Sequence, residues 1–110
     1  MSDYSYSPDS WCIVKINGTD PHYRVFGSWS GGYLDGDSWR LNSGIKSVSE
    51  DDEYYYFYGS TGSVYRCAKE SYGIRSPHNA GVIGDFCDKS GDTMELLKDK
   101  PNVMEMDWII

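Results

Sequence analysis

Six side chains in one stretch, GSWSGGYLDGDSWRLNSG (27–44), have the types and spacing of a recognition surface. Trp29, Tyr33 and Trp39 supply flat rings that bury large area at little cost in side-chain entropy. Asp35, Asp37 and Arg40 place charge of both signs beside them. The surrounding glycines allow turn conformations closed to other residues. The stretch therefore reads as an ordered loop carrying ring anchors. The competing reading folds both tryptophans inward, since small β-domains need aromatic cores. A division between the two is expected. Trp39 enters a run able to pair as a strand and goes to the core. Trp29 directly precedes Ser30-Gly31-Gly32, where a ladder is hard to hold, and stays at the surface with Tyr33. Arg40 alternates with Trp39 and points outward.

Reaction chemistry is not encoded in a recognisable pattern. A nucleophile elbow needs serine at the centre of G-x-S-x-G, and Trp29 occupies that place in GSWSG. A calcium loop starting at Asp35 would need glycine and glutamate where Arg40 and Lys46 stand. No lysine follows the glycines at phosphate-loop spacing. A nest of main-chain N–H groups beside Arg40 is the remaining option for an anion. His22 and His78 lie outside any catalytic motif and read as ordinary hydrogen-bonded side chains. Cys12, Cys67 and Cys87 are odd in number and widely spaced, so they read as buried reduced thiols and not as a disulfide or zinc framework. Free thiols point to a reducing compartment. The expectation is a non-enzymatic protein without metal or cofactor.

Charge narrows the partners. The 110 residues carry a formal net charge of −7, which disfavours direct binding to nucleic acid or anionic membranes, because phosphates attract basic patches. An acidic surface suits solubility or a partner with a basic surface. The length suggests one domain over residues 1–110, with 1–10 polar and flexible. That opening, MSDYSYSPDS, lacks the basic and apolar regions of a signal peptide, and no apolar run reaches transmembrane length.

The elements that must position these residues follow from periodicity. WCIVKI (11–16) reads as a strand with Cys12, Val14 and Ile16 on one face and Trp11 and Ile13 on the other. NGTDP turns the chain into HYRVFG (22–27), giving a hairpin. GIKSVS (44–49), YYYFYG (54–59) and SVYRCA (63–68) are three further strands. Tyr54 to Tyr58 lacks a polar face, so both faces are covered or one lies in an interface, and a homodimer that buries one face or pairs sheet edges is expected. Ser76 and Pro77 start a helix over 77–89, with Val82, Ile83, Phe86 and Cys87 toward the sheet and Gly91 at its C′ position. TMELL (93–97) and the alternating VMEMDW (103–108) suggest a C-terminal hairpin. The expected class is α+β: one curled antiparallel sheet, a meander of about five strands, with one packed helix.

Taken together, GSWSGGYLDGDSWRLNSGI, GSTGSVYRC, the YG before a short glycine-bearing helix, and the late MDW resemble small accessory proteins of tailed bacteriophages. The resemblance spans most of the chain and transfers no functional residue. It implies residence in a bacterial host's cytoplasm and a host-directed role. Inhibitors of host defence, anti-CRISPR proteins among them, nucleic-acid mimics and sponges for signalling nucleotides belong to this group. The leading expectation is an acidic binding protein that blocks a host defence factor by protein–protein contact. The alternatives are a sponge for a nucleotide-like molecule, with Arg40 on phosphate, and a phage structural component.

Overall fold

Strand β1 (Ser10–Ile16) is apolar on both faces, and both are covered. The structure, a computed structural model, describes residues 4–18, 20–32 and 36–108, and their side chains except at 31, 32, 36, 37 and 92. β1 lies inside a four-stranded sheet with β2 (His22–Gly32), β3 (Gly36–Leu41) and β7 (Met94–Leu97), in the order β3-β2-β1-β7. Cys12 and Val14 pack with Phe26 beneath helix α1 (Pro77–Lys89). Trp11 and Ile13 pack the other way, against a three-stranded sheet of β4 (Ile45–Glu50), β5 (Tyr54–Gly59) and β6 (Val64–Ala68). The layers are thus helix, four-stranded sheet and three-stranded sheet, and the strand ladders are antiparallel. The expected α+β class holds.

The expected single curled sheet is instead two sheets, with seven strands among the described residues. The break falls at Asn42. Its main-chain N–H donates to the Val25 carbonyl, and its Oδ1 accepts the Val25 N–H at 2.8 Å. Asn42 thereby satisfies the strand edge that a longer β3 would have covered. Gly44, at φ +133°, then turns the chain into β4 and the second layer. Few residues tolerate that angle, so glycine is required there.

The expected C-terminal hairpin does not form. β7 pairs with β1, from Ile13↔Leu97 to Ile16↔Met94, and residues 103–105 make a single 3₁₀ turn. Core demand explains this. Val103 and Trp108 are both buried, and five residues apart they would face opposite ways in a strand. The turn lets both reach the core. Trp108 meets Tyr23 and Phe57 edge to face and donates its indole N–H to the Val103 carbonyl.

Helix α1 forms where the sequence places it. Ser76 accepts the Asn79 N–H, Pro77 sits in the first turn, and Gly91 takes φ +61° after the cap. Ile83 is buried, with Val82, Phe86 and Cys87 packed around the same cluster. Asn79, fully buried, ties the helix to the sheet: its Nδ2 donates to Ser28 Oγ at 2.9 Å and to the Ser38 carbonyl at 2.6 Å. Two acceptors on that side fix the amide orientation. Asn79→Ala should destabilise the fold by about 1–3 kcal/mol in denaturant unfolding, because it strands buried acceptors.

Gly81 and Gly84 behave differently. A methyl group at either would meet nothing within 4 Å, so packing does not require glycine there. Gly81→Ala and Gly84→Ala should each stabilise the protein by about 0.5–1 kcal/mol, read as a raised unfolding midpoint, since alanine costs less backbone entropy in a helix.

Candidate functional site

The stretch 27–44 folds largely as the β2–β3 hairpin. The ladder between β1 and β2 ends at Ser10↔Ser28. Beyond it, β2 and β3 pair with each other, through Trp29↔Ser38 and Gly32↔Gly36 with a register irregularity between. The hairpin thus runs past the end of β1 as a two-stranded arm. Asp9 braces its root by accepting the Ser30 N–H at 3.0 Å. Gly27 allows the close packing of Pro8, whose side chain lies 3.2 Å from where a Cβ would stand.

Of the six residues singled out in the sequence, Trp29, Trp39 and Arg40 are described with their side chains. Tyr33 and Asp35, and the side chain of Asp37, lie outside the described residues. Ser28 pairs with Trp39 and Gly27 with Arg40, so Trp39 shares the helix face of the sheet and Arg40 the opposite face. The Trp39 indole stacks on Phe26 at 5.5 Å and 17° and meets Phe86 edge-on, yet the residue keeps 38 % of its surface exposed. Trp29 is half-buried on the other face, with its indole N–H on the Ser7 carbonyl at 3.1 Å and its ring edge-on to Tyr6. The Arg40 guanidinium lies 4.3 Å over the same Tyr6 ring.

The expected division of the tryptophans is therefore reversed: Trp39 is the exposed one and Trp29 is drawn in. The cause is the segment 4–9, expected to be loose. Tyr6 bridges to Tyr65, Ser5 and Tyr6 donate to the Val64 carbonyl, and Pro8 is buried. That segment covers the face on which Trp29 and Arg40 stand. Trp39 lies at the margin of the layer covered by α1.

A second cluster was not singled out in the sequence. On the outer face of the three-stranded sheet, the Arg66 guanidinium sits between the rings of Tyr4 and Tyr54, at 4.0 and 4.4 Å. Tyr56 donates its hydroxyl to Asp51 Oδ2 at 2.7 Å. The other Asp51 oxygen accepts the N–H groups of Glu53 and Tyr54. These residues border an open concavity of about 520 Å³ with Asp52 and Glu53 on its rim. The signal available was EDDE (50–53) next to alternating tyrosines. The inner ring, Phe57, faces Trp11, and Tyr58 and Ser49 share a hydrogen bond outside. Both faces of the tyrosine run are thus furnished within the chain, so covering it does not require a second copy.

Burial disfavours the thiolate form of all three cysteines. Burial pushes the Cys12 thiol up to about 12 and the Cys67 thiol well above its ordinary range, and burial also raises Cys87. A reactive cysteine needs the opposite shift. All three are free thiols. Among the described residues no group of three histidine, cysteine or acidic side chains is gathered as metal ligands, and no helix is long and apolar enough to cross a membrane. No family model matches the chain, and neither the curated proteins nor the solved structures compared with it yield a match.

The hydroxyl of Tyr56, followed by the two main-chain N–H groups, holds the Asp51 carboxyl below its ordinary value of 3.8. A group depressed in the folded state contributes stability that is present above its unfolded pKa and lost as pH falls through the lower folded value. Asp51→Ala should therefore lower the melting temperature at neutral pH. The gap from the unaltered protein should close as the pH is taken well below 3.8.

Proposed function

We propose that the protein is a non-enzymatic binding module that blocks a partner protein by direct contact. The partner is a protein with a basic surface, in the setting of the phage resemblance a defence factor of a bacterial host. The observation that carries this reading is the β2–β3 arm. It extends past β1 and holds Trp39 partly exposed at its base, and the sequence of the same stretch carries Asp35 and Asp37 in a chain of net charge −7. An aromatic anchor in a stretch whose sequence also carries aspartates suits the contact chemistry of a desolvated hot spot meeting a basic surface. Trp39 is held by Phe26 and Phe86, so its ring is pre-oriented and little entropy is lost on docking.

The sponge alternative used Arg40 for phosphate and is less well supported, because that guanidinium lies over Tyr6.

The test is capture from host lysate with the intact chain, followed by titration of the captured protein. Trp39→Ala, and separately Asp35→Asn with Asp37→Asn, should each weaken binding by about 2 kcal/mol or more. Trp29→Ala should act mainly on stability, since its indole is engaged with Ser7 and Tyr6. Undiminished binding by the Trp39 and aspartate variants, shown folded by their melts, would remove the arm as the working surface.

A further inference from the structure

We propose that the concavity where the chain crosses between the two sheets, lined by His22, Arg24, Ser43, Lys46 and Ser60, binds a phosphate-class oxyanion. Five segments converge there, one of them the C-terminal segment with Trp108. The β1–β2 turn brings Asp20 and Pro21, the start of β2 brings His22 and Arg24, the crossing brings Ser43 to Lys46, and the β5–β6 turn brings Ser60. The space, about 490 Å³, is open to solvent and is separate from the arm and the Asp51 cluster.

Arg24 is held in place through His22. His22 is fixed at both ring nitrogens: Nε2 accepts the Arg24 Nε–H at 2.9 Å, and Nδ1 therefore carries the proton and donates to the Asp20 carbonyl at 2.8 Å. Arginine has no acceptor, so this assignment is forced. The bond also orients the guanidinium from its inner nitrogen, leaving its fork as the chemically suited end for an oxyanion. The His22 ring rests over Gly44, where a Cβ would stand 3.4 Å from it. Ser60 Oγ donates to Ser43 Oγ at 3.1 Å, and Ser43 Oγ also accepts the Thr61 N–H and shares a hydrogen bond with Thr61 Oγ1 at 3.0 Å, so the hydroxyls are fixed as a cluster beside the cations.

The chemistry selects a tetrahedral anion. One guanidinium fork satisfies a planar carboxylate, whereas here a guanidinium and an ammonium come from two separate segments, with a hydroxyl cluster beside them. Two cationic residues, Arg24 and Lys46, line the space with a single carboxylate residue, Asp20. The volume falls within the range of roughly 300–1,000 Å³ typical of small-molecule sites, larger than bare phosphate, so an organic phosphate ester is accommodated.

The experiment uses the intact chain at low ionic strength, with inorganic phosphate and adenosine monophosphate as separate probes. Calorimetry and amide chemical shifts are the readouts. Saturable binding is expected, with shifts at Ser43, Gly44 and Lys46. Arg24→Gln and Lys46→Gln should each weaken it about tenfold, with the melting temperature preserved in the Lys46 variant. Lys89→Gln, at the end of the helix, should leave it unchanged. A preference for the monophosphate would identify an ester as the ligand, and equal affinity would identify the phosphate group alone. Lack of saturation by both probes at millimolar concentration overturns the site, as does undiminished binding by the Arg24→Gln, Lys46→Gln double variant. Neither outcome touches the role of the arm, which is read with a protein partner and different residues.

Discussion

The burial of Trp11 is the constraint on which the rest of the structure depends. It is fully buried between the two sheets, with the rings of Tyr55, Phe57 and Tyr72 around it. A buried indole N–H must find an acceptor, and this one donates to the Ala68 carbonyl at 2.7 Å. That bond fixes the end of β6 against β1. Tyr72 completes the junction: its hydroxyl accepts the Ile13 N–H and donates to the Leu97 carbonyl, at the last pair of the β1–β7 ladder. One tryptophan and one tyrosine thus join both sheets, the strand end and the segment leading to the helix.

A short chain with few aliphatic residues meets its need for apolar area with rings. Rings carry polar edges, and each edge needs a partner. The result is a core whose geometry is directional: Trp11 on Ala68, Trp108 on Val103, Trp29 on Ser7. The last of these shows the consequence for function. The N-terminal segment supplies the acceptor for Trp29, so that ring is drawn away from the surface. Trp39 finds no corresponding cover beyond Phe26 and Phe86 and remains partly in solvent.

Charge is arranged along the second sheet. The acidic turn, residues 50–53, precedes β5, and the concavity with Arg24 and Lys46 adjoins Ser60 at its other end. At the acidic end, Lys69 pairs with Glu50 at 2.7 Å and Asp51 is spent on Tyr56 and the turn. The acidic end is thus partly neutralised by Lys69, and Arg24 and Lys46 stand at the opposite end of β5.

Local pattern determined those elements whose partners are near in sequence. The β1–β2 hairpin, the strand 54–59 and the helix 77–89 with its cap and terminal glycine are written in alternation, turn chemistry and i, i+4 spacing. So is the two-faced character of β1. Tertiary contact decided the rest. Asn42 divides one expected sheet into two by satisfying Val25, a bond between residues 17 apart that periodicity does not register. Residues 103–108 alternate like a strand, but two core positions five residues apart override that pattern. Within the candidate site, the stretch 27–44 and its ring content were legible from type and spacing alone. Which tryptophan faces solvent was not, because it depends on residues 4–9 lying across the sheet, and a polar segment gives no periodic signal of where it docks. The meeting of His22, Arg24, Ser43 and Ser60 was invisible for the same reason: their proximity is created by the crossing between layers, and long-range closure leaves no mark in local sequence.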